Sequence, residues 1–177
     1  MKIFKNFIPY EDFDKLQKLM TSSSFLWTFL NGVTRHNDGR YQFVHTFYDE
    51  YSPKSEMIDF LMPIIEKIKP AAIVRIKANL LTKTDKIIVH EPHTDYNISK
   101  DLKPGTIDKK HRSQACISGM ATGVFYINTC NGYTKIGNKK IKSEENKMVF
   151  FDSSTIHSGT TCTDETCRIV INFNYYP

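Results

Sequence analysis

The segment HEPHTDYN, residues 90–97, sets two histidines and an aspartate within six positions, directly after the strand-forming run Lys86-Ile87-Ile88-Val89. A helical metal site is ruled out here. The histidines lack the i, i+4 spacing that puts two imidazoles on one helical face, and Pro92 opposes a helix. In an extended chain, residues two apart point the same way. His93 and Asp95 then share one face, and His90 takes the other. An HxD pair alone reads as two side chains bonded to each other in a loop; as a chelating pair it needs a third ligand.

The best third ligand is His157, in FFDSSTIHSGT, which also follows an apolar strand. Two imidazoles and one carboxylate on one side of a metal leave the opposite side open, an arrangement suited to non-haem Fe(II) and dioxygen. Eleven residues on, Arg168 opens RIVINFNYY. Alternation puts Arg168, Val170, Asn172 and Asn174 on one face, and Ile169, Ile171, Phe173 and Tyr175 on an apolar one. If the polar face lines an interior, a buried arginine requires an anion, and a carboxylate suits its forked donors.

Around these residues the chain reads as strands: FLWTFL, YQFVHTFY, AAIVRIKANLLT, KIIVHEPH, QACISGMATGVFYIN, TKIGNKKIK, NKMVFFD, STIHSG and RIVINFNYY, rich in Val, Ile, Phe and Tyr. Gly137-Asn138 marks a tight hairpin. Two helices precede most of them. IPYEDFDKLQKLM carries Phe13, Leu16, Leu19 and Met20 on one face. SPKSEMIDFLMPIIEKIKP carries Met57, Phe60, Leu61, Ile64, Ile65 and Ile68, with Ser52 as N-cap, Pro53 in the first turn and a bend at Pro63. The expected fold is mostly β (α+β), a closed or double-sheet architecture with helices packed outside.

Length and composition fit one globular domain: 177 residues, 40% hydrophobic and 24% charged. No apolar stretch approaches a membrane span, and the start turns acidic too early for a signal peptide, so a cytoplasmic location is expected. The net charge of +5 is too mild to indicate a nucleic-acid partner. Cys116, Cys130, Cys162 and Cys167 form no CxxC pair; Cys162 and Cys167 could face each other across a hairpin, but thiols in that compartment stay reduced. The polar stretch 97–114, with Lys100, Lys103, Lys109, Lys110, His111 and Arg112, reads as a solvated loop or as a lid over substrate. His36, His45, His90 and His111 read as structural or surface residues.

The ordered set His93-x-Asp95, His157, Arg168 resembles the Fe(II)- and 2-oxoglutarate-dependent oxygenases, in the prolyl-4-hydroxylase-like branch with its bacterial and phage forms. The likeness covers roughly residues 70–177, including GVFYINTCNGYTKI and NKMVFFDSSTIHSGTTCTDETCRIVINFNY. It implies a double-stranded β-helix (jelly roll, cupin-like), in a single domain over 1–177 whose residues 1–70 are helical and whose residues 71–177 form the core. It implies that His93, Asp95 and His157 are catalytic iron ligands. It implies that Arg168 holds the far carboxylate of 2-oxoglutarate, where prolyl hydroxylases often have lysine, and that O2 is consumed. Tyr126 and Asn79 fall where polar groups help bind that cosubstrate. NGYT keeps Gly132 and Thr134 of the family's GGxT turn.

The resemblance implies a hydroxylase of a peptide side chain or a small amino-acid-like molecule. Two alternatives stand beside it: a metal-binding cupin-like module without oxygenase activity, and a zinc-type hydrolase. Nucleic-acid dealkylases of the superfamily carry a second arginine soon after the first; here Asn172, Asn174 and Tyr176 occupy those positions.

Overall fold

The computed structural model describes residues 1–95 and 119–177. In chain order the elements are β1 (Lys2–Phe4), α1 (Tyr10–Thr21), β2 (Thr28–Leu30), β3 (Gln42–Asp49), β4 (Ser52–Pro53), a 3-10 segment (Glu56–Leu61), α2 (Met62–Ile68), β5 (Ala72–Thr82), β6 (Ala121–Tyr126), β7 (Tyr133–Ile136), β8 (Lys139–Lys142), β9 (Lys147–Asp152), β10 (His157–Gly159) and β11 (Cys167–Tyr176). Among the described residues, one large antiparallel sheet runs β1-β9-β6-β11-β5-β3-β2, with β4 on β3, and a small one runs β10-β7-β8. Two antiparallel sheets of unequal size make the double-sheet architecture that the strands predict and the jelly roll that the resemblance implies.

Strand alternation divides the large sheet into two faces. Phe47, Ile76, Ala78, Phe125, Ile169, Ile171, Phe173 and Tyr175 point outward and join Phe13, Leu16 and Met20 of α1 and Leu61 and Ile64 in the main core. Val124, Tyr126, Val149 and Val170 point inward and meet Ile136 and Ile141 of the small sheet in a second, smaller core. The helices therefore cover the outside of the barrel and leave its interior to polar groups. The tight hairpin stands as read, with Ile136 paired to Lys139 and Gly137 at φ 55°, a conformation glycine adopts without strain.

The second helix differs from the sequence expectation. Ser52 and Pro53 form β4 on the edge of β3, and the capping residue is Ser55, whose hydroxyl accepts from the Met57 amide at 3.2 Å. A continuous α-helix would need an N–H from Pro63. The chain instead takes a tighter 3-10 turn and restarts at Met62, which puts Pro63 in the first turn of α2, where no N–H is missed. The changed period turns Phe60 outward, to 42% exposure, while Leu61 and Ile64 are buried. KIIVHEPH touches its neighbour only at the bridges Val89–Thr160 and His93–His157, because Pro92 has no amide to continue a ladder. β1 was not foreseen; it pairs with β9 and covers that edge.

Phe125 is fully buried on the outer face of β6, against Phe7 and Phe13. Phe125→Ala should cost about 3–5 kcal/mol in urea unfolding. Leu26→Ala, at a site 73% exposed, should stay within about 0.5 kcal/mol.

Candidate metal centre

His93, Asp95 and His157 converge, with one ligand atom from each lying within 4.8 Å of the others. The backbone arranges this. His93 and His157 exchange both amide hydrogen bonds at 2.9 Å, which holds the rings side by side with centroids 4.7 Å apart. Each imidazole is then oriented by a carbonyl. The Nδ1–H of His93 donates to Glu91 O at 3.1 Å and that of His157 to Thr155 O at 3.0 Å. That fixes the tautomer and leaves each Nε2 lone pair free for a cation.

Asp95 is held from below. The Asn174 amide donates to its carboxylate at 2.8 Å and the Thr122 hydroxyl at 3.0 Å. The Asn174 amide also reaches the Thr122 hydroxyl, which contacts Ser153 at 2.9 Å. Arg75 donates to the other end of the Asn174 amide at 3.2 Å and approaches the carboxylate at 3.7 Å. Burial pushes the carboxyl of Asp95 up, but His157, Arg75 and Asn174 outweigh it and hold it below its ordinary range. It is therefore an ionised ligand at neutral pH. Burial, then His157, lowers His93, which favours the neutral, ligating form.

The three ligands open on a cavity of about 260 Å³, near the lower bound for small-molecule sites. Arg168, Asn79 and Thr134 line it too, as do Val170, Leu81 and Val124. Arg168 is 2% exposed. Its guanidinium donates to Ser143 Oγ at 2.7 Å, Thr134 Oγ1 at 2.8 Å and Thr160 O at 3.5 Å. All three acceptors are neutral, so no described carboxylate offsets the buried charge. Gly132 allows this placement, since a Cβ there would lie 2.6 Å from Arg168 Cδ and 2.8 Å from Thr161 O. Tyr126 is not in the cavity lining. Its ring packs 5.7 Å from the Arg168 guanidinium carbon, and its buried hydroxyl has no hydrogen-bond partner among the described residues. Burial raises that phenol, so it stays protonated.

His90 departs from the sequence reading. It lines the same cavity, is 4% exposed, and neither ring nitrogen finds a partner among the described residues. Burial, then Arg40, lowers it to about 4, so it is neutral. Strict alternation fails because the chain leaves its neighbour between the two bridges, and no spacing rule would have shown this. Lys77 and Arg75 were also missed, although alternation along β5 puts them on the face of Asn79. His45 is structural, bonded to Leu26 O and Ser55 Oγ. His111 and the stretch 97–114 lie outside the described residues, as does Cys116.

A second group, Cys130, Cys162 and Asp164, also clusters. Cys162 is not bonded to Cys167 and donates to Glu165 O. Burial, then Cys130, pushes its thiol up to about 12, and the carboxylate of Asp164 already accepts the Asn131 amide. A protonated Cys162 thiol near the Arg168 cation makes a poor cation ligand.

The wall opposite comes from residues 31–40. Gly32 turns at φ 133°, and a Cβ there would lie 2.0 Å from Arg35 O. The carboxylate of Asp38 collects the amides of Val33, Thr34, Arg35 and Arg40 at 2.9–3.3 Å. Gln42 ties the loop to β3, and Arg35 pairs bidentately with Glu91 beside the metal ligands. Val33 and Thr34 thereby reach the cavity.

No family model and no curated protein matches the chain. Solved structures do. The prolyl hydroxylase of Trichoplax adhaerens, in complex with a hypoxia-inducible-factor peptide, matches with a TM-score of 0.64 at 15% identity, over 99% of this chain and 82% of that one. HygX of Streptomyces hygroscopicus, with nickel and 2-oxoglutarate bound, gives 0.61 at 9%, over 99% and 82%. The viral collagen prolyl hydroxylase of Paramecium bursaria Chlorella virus-1 gives 0.59 at 13%, over 99% and 89%. The chain thus has the double-stranded β-helix fold seen in 2-oxoglutarate/Fe(II) oxygenases. Within that fold its structural neighbours are prolyl-4-hydroxylase-like enzymes and HygX.

Two outcomes are expected. Asn174→Ala should weaken Mn(II) or Co(II) binding by about 10–100-fold in calorimetric titration, because Asp95 loses its orienting donor. For Asp38, burial raises the carboxyl but the four amides draw it down to about 2. A folded pKa below the unfolded value means stability that is present above about pH 4 and lost as pH falls toward 2. The gap in urea midpoint between wild type and Asp38→Ala should therefore be full at pH 6 and close across that window.

Proposed function

We propose that the protein is an Fe(II)- and 2-oxoglutarate-dependent dioxygenase that hydroxylates a peptide side chain or a small amino-acid-like molecule. The observation that carries this reading is Arg168: a buried guanidinium with only neutral acceptors, facing the same cavity as two imidazoles and a carboxylate. A buried cation without an anion is costly unless a ligand supplies one. A diacid with one end on the metal and the other on Arg168 fits. Two imidazoles and an ionised carboxylate fit a divalent iron.

His93, Asp95 and His157 would hold the iron. Arg168 and Thr134 would hold the far carboxylate of 2-oxoglutarate, with Tyr126 packed against the guanidinium and Asn79 on the cavity wall between. Bound metal and cosubstrate supply the activation of O2 and the oxidation of a C–H bond. The chain keeps Asp95 charged through Asn174 and Thr122 and fixes both histidine tautomers through backbone carbonyls. It also lines the cosubstrate end with Val124, Val170 and Leu81, which exclude water. The helices and both sheets would work as one oxygenase unit. A peptide substrate is favoured by the Trichoplax neighbour's bound peptide. The unpaired thiols of Cys130, Cys162 and Cys167 suit a reducing, cytoplasmic setting.

Anaerobic addition of Fe(II) and 2-oxoglutarate should produce a metal-to-ligand charge-transfer band. Arg168→Gln and Gly132→Ala should lose that band at the same cosubstrate concentration while still binding metal. His157→Ala should release no succinate under O2. Full band intensity in Arg168→Gln would overturn the assignment of the guanidinium.

A further inference from the structure

A charge excess remains in the cavity once metal and cosubstrate are assigned. Among the described residues, three cationic side chains, Arg75, Lys77 and Arg168, line it against one carboxylate, Asp95. A divalent metal and a dianionic cosubstrate cancel each other, so their binding leaves this excess in place. Arg168 is matched by the cosubstrate, and Arg75 is engaged by Asn174 and Asp95. Lys77 has no hydrogen bond or ion pair with any described residue.

Register places that ammonium. Along the β5–β11 pair, Leu81 is opposite Arg168, Asn79 opposite Val170, Lys77 opposite Asn172 and Arg75 opposite Asn174. Lys77 thus lies four residues along the strand from the Arg168 pair, about 13 Å of backbone. It is one step from Asn174, the residue that holds Asp95. Its neighbour across the pair, Asn172, also lines the cavity. An ammonium and an amide therefore stand side by side at the metal end.

We propose that the substrate carries a carboxylate, which Lys77 binds at the metal end of the cavity while Arg168 holds the cosubstrate at the other. This rests on the 2-oxoglutarate reading above. Desolvation, then Arg75, lowers the Lys77 ammonium to about 8. An arriving anion reverses that penalty, so the site is arranged to gain from a negative charge. The Asn172 amide can donate to the same group. Asp95 and Asp49 attract the ammonium without bonding it, so a neutral substrate would leave it half-buried with no hydrogen-bond acceptor.

The test uses the full chain loaded with Mn(II) and saturating 2-oxoglutarate. The probes are N-acetyl-L-amino acids, each as the free acid and as the carboxamide, and binding is read by calorimetry and thermal shift. Free acids should bind wild type, and their carboxamides should not. Lys77→Gln should weaken acid binding by about 10–100-fold, the contribution of one charge-assisted hydrogen bond. Lys77→Arg should restore it, which separates lost charge from misfolding. The affinity for 2-oxoglutarate should be unchanged in Lys77→Gln. Equal binding of acids and carboxamides, or no binding of any acid, overturns the proposal. So does a loss of 2-oxoglutarate affinity in Lys77→Gln as large as that in Arg168→Gln, because Lys77 would then serve the cosubstrate. If wild type itself fails to bind 2-oxoglutarate, the functional reading falls, and this outcome is distinct from the others.

Discussion

A guanidinium sealed inside a β-barrel with no described carboxylate of its own is the constraint around which this molecule is arranged. Removing a charge from water costs several kcal/mol even after relaxation, and Ser143, Thr134 and the Thr160 carbonyl offset a fraction of that. The neighbourhood is built to tolerate it. Gly132 has no side chain because the arginine stem occupies that space. Cys162 stands near it as a neutral thiol. The same desolvation that makes the unmatched charge costly makes an incoming anion bind well. The stability lost at this position is the affinity gained there.

β11 shows how one strand can serve both ends. Its outward residues Ile169, Ile171, Phe173 and Tyr175 anchor the sheet to the helices. Its inward residues give the anion site at Arg168, an apolar wall at Val170, an open amide at Asn172 and the Asp95 support at Asn174. Because β11 sits between β5 and β6 in the large sheet, Val170, Asn172 and Asn174 are fixed by pairing on both sides and Arg168 by pairing with β5. Packing energy and chemistry occupy opposite faces and can be altered separately.

The sequence exposed what depends on period two. Alternation along RIVINFNYY separated the core face from the polar face, and the HxD and His157 segments were legible as a converging set because each follows an apolar strand. Where the period breaks, the sequence misled. His90 enters the cavity because the chain leaves its neighbour around Pro92, and Ser52 yields the cap to Ser55 because Ser52 and Pro53 pair with β3 as β4. The wall from residues 31–40 was invisible for another reason. Its Asn, Gly and Asp residues signal a turn, but nothing local says that Asp38 gathers four amides or that Arg35 reaches Glu91. Long-range partners of loops are set by the assembled barrel.

The single tryptophan has an experimental consequence. Trp27 stacks near Phe25, with ring centroids 4.9 Å apart, and donates to the Met20 carbonyl at 3.3 Å. It therefore belongs to the junction of α1 with the outer sheet face and shares no wall with the metal ligands. Its emission is an optical gauge of whether the helical jacket is seated, and it is blind to what enters the barrel. Changes in that signal during a titration would report a loosening of the jacket, and occupancy is better followed by heat or by absorbance of the metal.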